Sequence, residues 1–283
     1  MKIQKILAGI DLQEDSERVL AYASFFADVF GASLSLLYVI DYLVTPPAYL
    51  APYIEKEKRD AAEKLAALRA KLTGAGSGAD SEVVVGRLRE SFEAMVKRES
   101  VDVLVLGFRS HPLRRSSSEK LIKGLPTSVL VVKGRRAESE HIGSIKIRKI
   151  LCPVDFSEIS RNALNAAKGL ADAFSAGLNV IYVAPDYLVR KMRVQEEKDK
   201  AAKALREKAE GKLESFLAGS GLKDLGRVEE GDPAGVIVSL AEKEDADLIV
   251  MSARGLGLIQ GMLMGSVTDA VLKSSPCPVF VIR

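Results

Sequence analysis

Short apolar runs alternate along this chain with longer amphipathic stretches, and the whole alternation occurs twice. Ile3–Ile10 is an apolar run closed by Asp11. Glu14–Phe30 then carries Val19, Phe26 and Phe30 at helical spacing, which predicts an amphipathic helix. Leu34–Ile40 reads as a strand, and Lys56–Leu72, rich in Ala, Leu, Lys and Glu, as a helix. Strand 82–85, helix 91–99, strand 103–106, a polar loop, helix 118–123 and strand 128–132 complete the first half. The second half predicts strands over 148–154, 178–184, 226–229, 247–251 and 278–282, with helices over 158–175, 195–217, 234–244 and 266–274. Runs such as Leu248–Met251 are apolar at every position, as strands covered on both faces of a parallel sheet are. Alternating β and α elements predict a doubly wound α/β sheet in each half.

The two halves are copies. Asp11–Val39 aligned with Asp155–Val183, a shift of 144 residues, agrees at twelve of 29 positions, where unrelated sequences of ordinary composition agree at about two. Gly86 matches Gly231 at a shift of 145, and Pro126 matches Pro276 at a shift of 150. Such a period is far too long for a solenoid repeat. It describes a duplicated domain, over 1–138 and 145–283, joined by the polar stretch Gly134–Ser144.

Composition narrows the classes. The formal charge of +3 gives no argument for nucleic acid, and 47% hydrophobic with 28% charged residues is ordinary for a globular protein. The beginning MKIQKILAGI is interrupted by Asp11 too soon for a secretory leader, and no apolar run approaches the length of a membrane span. A cytoplasmic protein is the expectation. Two cysteines, Cys152 and Cys277, and two histidines, His111 and His141, are too few for a disulfide framework or a Cys/His zinc cluster, so both thiols read as packing groups.

In an open α/β sheet, ligands sit outside the carboxyl ends of the strands at the point where strand order reverses. The second copy places three loops there, after Val154, Val183 and Met251. The last is the most informative. It runs from Ser252 through Arg254, Gly255, Gly257, Gly261 and Gly265 to Ser266, Val267 and Thr268. Glycines let backbone approach a ligand closely, and Gly265-Ser266 opens the next helix, whose free amides form an anion site. Ser266 adds a hydroxyl and Arg254 a charge. The loop lacks the lysine of a P-loop, and it follows the fourth strand rather than the first, so it is no Rossmann fingerprint.

These motifs, taken in order, resemble those of the universal stress proteins. The chain has Ser252-x-x-Gly255, nine residues, then Gly265-Ser266, where that family has Gly-x-x-Gly, nine residues and Gly-Ser/Thr. The run from Ile150 to Ser157, Gly231-Asp232-Pro233 and the ending from Pro276 to Val281 are also similar to theirs. The resemblance implies two Rossmann-like domains of the adenine nucleotide alpha hydrolase type, each a five-stranded parallel sheet flanked by helices. It implies ATP as the usual ligand, with Mg2+ carried by the phosphates. Asp155 would then hold the adenine or ribose side, Pro153 and Val154 would shape that pocket, and Val183 would meet the base through its backbone. Ser252, Arg254, Gly255 and Gly265 would line the ribose and phosphates, and Ser266, Val267 and Thr268 would offer hydroxyl and amide groups. Ser252 in place of glycine leaves ATP and AMP both open.

The first copy departs further. Gly107-Phe108-Arg109-Ser110 lacks the second glycine, the loop through Arg114, Arg115 and Ser118 is about five residues shorter with no Gly-Ser step, and Gly9 stands where the second copy has Pro153. The expectation is one nucleotide site per chain, in a binding module of stress signalling without its own chemistry. A slow ATPase releasing ADP or AMP, and a structural pseudo-dimer with a vestigial site, are the alternatives. The resemblance further implies that the last strands, Val129–Val132 and Val279–Ile282, pair within the chain as an intramolecular dimer, and leaves a homodimer open. Neither nucleic acid nor membrane is an expected partner.

Overall fold

Each strand in the middle of these sheets is apolar because both of its faces are covered. Leu7, Val103, Leu104 and Val105, and Cys152, Val180, Leu248 and Ile249, are buried completely or nearly so. The computed structural model describes residues 2–13, 15–42, 50–72, 74, 78–108, 117–133, 141–254 and 264–283. These fall into two units, Lys2–Ile145 and Lys146–Arg283.

The first unit runs β1 (Lys5–Gly9), α1 (Ser16–Phe30), β2 (Ser33–Asp41), α2 (Ala51–Arg69), β3 (Asp80–Gly86), α3 (Leu88–Glu99), β4 (Val103–Gly107), α4 (Ser117–Gly124) and β5 (Ser128–Val132). Its strands lie in the order β3-β2-β1-β4-β5 and every pairing is parallel. The second unit runs β6 (Lys149–Val154), α5 (Glu158–Phe174), β7 (Gly177–Ala184), α6 (Tyr187–Arg190), α7 (Gln195–Leu217), β8 (Gly226–Glu230), α8 (Pro233–Lys243), β9 (Leu248–Ser252), α9 (Ser266–Ser274) and β10 (Val279–Ile282). Its order is β8-β7-β6-β9-β10, again parallel throughout. In each unit the order reverses beside the first strand, between β1 and β4 and between β6 and β9.

An aspartate ties each reversal together from below. Asp102 accepts the amides of Gln4 and Lys5 at 2.7 and 2.9 Å, and Asp247 accepts those of Arg148 and Lys149 at 2.8 and 3.0 Å. Both lie at the amino ends of their strands, so Asp247 and Asp155, which follows β6, belong to opposite ends of the strands.

The helices follow from spacing and caps. α5 buries Ala163, Leu164, Ala167, Leu170 and Ala171, a stripe repeating every three or four residues against the sheet. α7 docks only its last turns, through Ala209, Leu213, Phe216 and Leu217. Its outer face carries i,i+4 pairs such as Glu196–Lys200 and Arg206–Glu210, exposed and therefore of small value. α2 starts at Ala51, five residues before the predicted start at Lys56. Pro52 sits in its first turn, where the missing N–H has no intrahelical partner to lose. The single turn α6 had no periodicity to announce it.

Candidate functional site

Gly231-Asp232-Pro233 illustrates how the second unit builds its loops. Gly231 has φ +139, a conformation that side-chain-bearing residues rarely adopt, and its N–H donates to Ala184 O at 3.1 Å. Asp232 caps α8 by accepting the Gly235 amide at 2.8 Å, and Pro233 follows in the first turn. The turn thus brings Pro233 and Ile237 over the end of β7.

The turn after β6 is equally specified. Asp155 accepts the Ser157 amide at 3.1 Å and the Ser157 hydroxyl at 2.6 Å. Ser157 Oγ in turn accepts the Ser160 amide at 3.1 Å, capping α5, while buried Ser160 Oγ accepts the Asp155 amide at 3.1 Å. Phe156 sits between them at φ +67, strained for an aromatic residue, with its ring 4.2 Å from that of Tyr182. Burial first, and the Asp155 charge second, push the Tyr182 hydroxyl above its usual pKa.

At the end of β9, the structure ties the strand to the helix that follows the loop. Ser252 Oγ donates to Arg254 O at 2.5 Å, Gly265 N donates to Ala253 O at 2.7 Å, and Thr268 Oγ1 donates to Ser252 O at 2.9 Å. Gly265 is the N-cap of α9, without a side chain to occupy the helix end. The first in-helix bond there is donated by Asp269 to Gly265 O, so the amides of Ser266, Val267 and Thr268 precede it and point out of the helix end.

These three loops enclose one cavity of about 370 Å³, inside the range of about 300–1,000 Å³ that small-molecule sites occupy. One wall is apolar: Pro153, Val154, Val183, Pro185, Pro233, Ile237 and Met251. The polar part of the lining comes from Asp155, Ser160, Tyr182, Ser252, Arg254, Gly265, Ser266 and Thr268, with Val267 beside them. Arg283, at the end of β10, is near enough for the Arg254 charge to add to burial in lowering its pKa. The cavity thus combines apolar side chains with a helix amino terminus that has Arg254 beside it. That combination suits a ligand with an apolar ring and an anionic group.

Comparison with known proteins gives this geometry its family. The sequence model of the Universal stress protein family matches twice, over residues 2–133 and 146–283. The chain belongs to the universal stress protein family. A universal stress protein of Thermus aquaticus is 34% identical over 140 residues, 48% of this chain and 98% of its own length. One from Methanocaldococcus jannaschii is 32% identical over 139 residues, 48% of this chain and 82% of its own length. Each relative therefore corresponds to a single unit. The crystal structure of a universal stress protein from Archaeoglobus fulgidus covers 100% of this chain and 97% of its own, with a TM-score of 0.71 at 22% identity. That likeness extends the shared fold over the full tandem chain.

Of the universal stress protein residues singled out from sequence, Pro153, Val154, Asp155, Val183, Ser252, Arg254, Gly265, Ser266, Val267 and Thr268 all line the one cavity. Gly255, Gly257 and Gly261 lie outside the described residues, as do Arg114 and Arg115 of the first copy. Sequence reasoning missed Ser160, Tyr182, Pro185, Pro233, Ile237 and Met251. Pro233 belonged to a recognised motif. Ile237 and Met251 gave no signal, because they read as ordinary core positions of α8 and β9.

In the first unit, Asp11 keeps a similar turn, accepting the Gln13 amide and the Ser16 hydroxyl at 2.9 Å each, and Leu12 has φ +58. No helix among the described residues of either unit is long and apolar enough to cross a membrane. Cys152 and Cys277 are both buried and free of disulfides.

Proposed function

We propose that the second unit binds an adenine nucleotide, ATP or AMP, and that the protein works as a nucleotide-responsive module in stress signalling rather than as an enzyme. The observation that carries this reading is the cavity itself, whose lining brings apolar side chains together with Ser266, Val267 and Thr268 at the amino terminus of α9. Pro153, Val183 and Ile237 provide flat apolar surface. Asp155 is the carboxylate among the described lining residues, placed to accept from a ribose hydroxyl or the exocyclic amine. The α9 amides, with Arg254 beside them, meet the phosphates through hydrogen bonds and partial positive charge. The reading as a binding module rests on Asp155 being engaged by Ser157 within its own turn, which suits a fixed acceptor better than a proton-transferring base.

Mass spectrometry of small molecules released from the purified chain tests the proposal, followed by calorimetric titration with ATP, ADP and AMP. Gly265→Ala sets a methyl group at the helix end, at φ −77 and ψ 155, which any residue adopts. It is expected to weaken nucleotide binding about tenfold or more. Absence of binding by the wild type at millimolar nucleotide overturns the reading, and steady release of ADP or AMP from bound ATP turns it toward a slow ATPase.

A further inference from the structure

The first unit fills the corresponding corner from within. Residues 9, 92 and 106 correspond to residues 153, 237 and 251 by shifts of 144, 145 and 145. In the second unit Pro153, Ile237 and Met251 line the cavity. In the first, a Cβ built on Gly9 would stand 2.9 Å from Phe92 Cζ and 2.4 Å from Leu106 Cδ2. Both side chains are only 3% exposed. Gly9 is not in the left-handed region, so the backbone does not demand glycine there. Leu106 Cδ2 and the Phe92 ring together do, and a proline ring like that of residue 153 would overlap both. The exchange of Pro153 and Ile237 for Gly9 and Phe92 is therefore a single change of packing: the wall residue shrinks and the helix residue grows into the space.

We infer that Phe92 is an internal occupant of the base subsite in the first unit, and that removing its ring opens a site there for a small planar aromatic ligand. The inference rests on the nucleotide reading of the second unit only for its choice of ligand. It gives the first unit a reason for taking no base that is separate from its altered phosphate loop. Truncation of Phe92 leaves a void lined by Leu106, the backbone of Gly9 and the inner face of α3. Dry apolar cavities of about 150 Å³ bind benzene-sized rings. The ligand class is thus a single flat aromatic base without ribose or phosphates, because truncating one phenyl ring vacates about one ring's volume and the Gly-Ser step that begins α9 has no counterpart in the first copy.

The experiment uses the full chain with Phe92→Ala and Phe92→Ile, the second being the residue found at 237. Adenine is titrated by calorimetry, and thermal melting is followed with and without it. Phe92→Ala is expected to bind one more adenine per chain than the wild type, and adenine is expected to raise its melting temperature by several degrees more. If the second unit binds no nucleotide, the wild type binds none and Phe92→Ala binds one, so failure of that reading leaves a different signature. A folded Phe92→Ala chain with wild-type stoichiometry and no added response to adenine overturns the inference. Should the alanine variant not fold, Phe92→Ile decides by the same two readouts, its smaller side chain vacating part of the same space.

Discussion

Thr268 Oγ1 donates to the Ser252 carbonyl at 2.9 Å, and both residues are buried. This bond joins the first turn of α9 to the last residue of β9 across a loop of thirteen intervening positions. It fixes the helix end whose first residues line the cavity. Thr268→Val keeps the shape and removes the donor, leaving a buried carbonyl one partner short. The expected loss is about 1–2 kcal/mol of stability, measured by urea denaturation, together with weaker binding of phosphate-bearing nucleotides. Thr268→Ser is expected to restore most of both. Wild-type affinity for ATP in Thr268→Val would show that this bond does not hold the amides in place.

Ser266→Pro separates the helix end from the fold. Ser266 is the first residue of α9, and Gly265 before it is extended at φ −77 and ψ 155, the conformation a residue preceding proline prefers. The substitution deletes one amide donor and one hydroxyl but no intrahelical bond. Stability is expected to change by about 0.5 kcal/mol or less, while ATP affinity falls about tenfold or more. Ser266→Ala distinguishes the two groups, since it removes the hydroxyl alone. A melting temperature that falls as steeply as the affinity would assign Ser266 to folding instead.

Burial pushes the Cys152 thiol from 9.0 up to about 12. The thiol is therefore protonated and unreactive in the folded chain at neutral pH, and aromatic disulfide reagents are expected to label it only after denaturant is added. The sign of the pH effect follows. An acid whose folded pKa is raised contributes stability in full below its unfolded pKa, and that contribution is lost as pH rises from about 9 towards 12, by up to about 1.4 kcal/mol per pH unit. Cys152→Ala is expected to flatten this part of the stability curve. Fast labelling of the native protein at pH 7 would contradict the burial argument.

Much of the architecture was legible because local rules act on neighbours in sequence. The runs Leu248–Met251 and Ile150–Val154 are apolar throughout, and strands covered on both faces have to be. The helices predicted over 158–175 and 234–244 match α5 and α8 to within a residue at each end, where Ser157 and Asp232 cap the first turns. α7 was bounded correctly at Gln195–Leu217 by composition alone. The early start of α2 was not, because Ala51–Glu55 carries no apolar stripe, and Pro52 reads equally as a loop residue until its place in a first turn is seen.

The sequence by itself determined the duplication, the parallel α/β class and the loops that carry the candidate chemistry, since each depends on periodicity, short motifs or a fixed shift along the chain. Only the tertiary structure decided which side chains share a cavity. Ile237 and Met251 look like any core residues of a helix and a strand, yet they face open space beside Pro153, while Phe92 and Leu106 at the equivalent positions close on Gly9. The physical reason is that filling a volume depends on the summed sizes of residues far apart in sequence. Gly9, Phe92 and Leu106 come from three separate elements, and no pattern along one element records whether the space between them is full or empty.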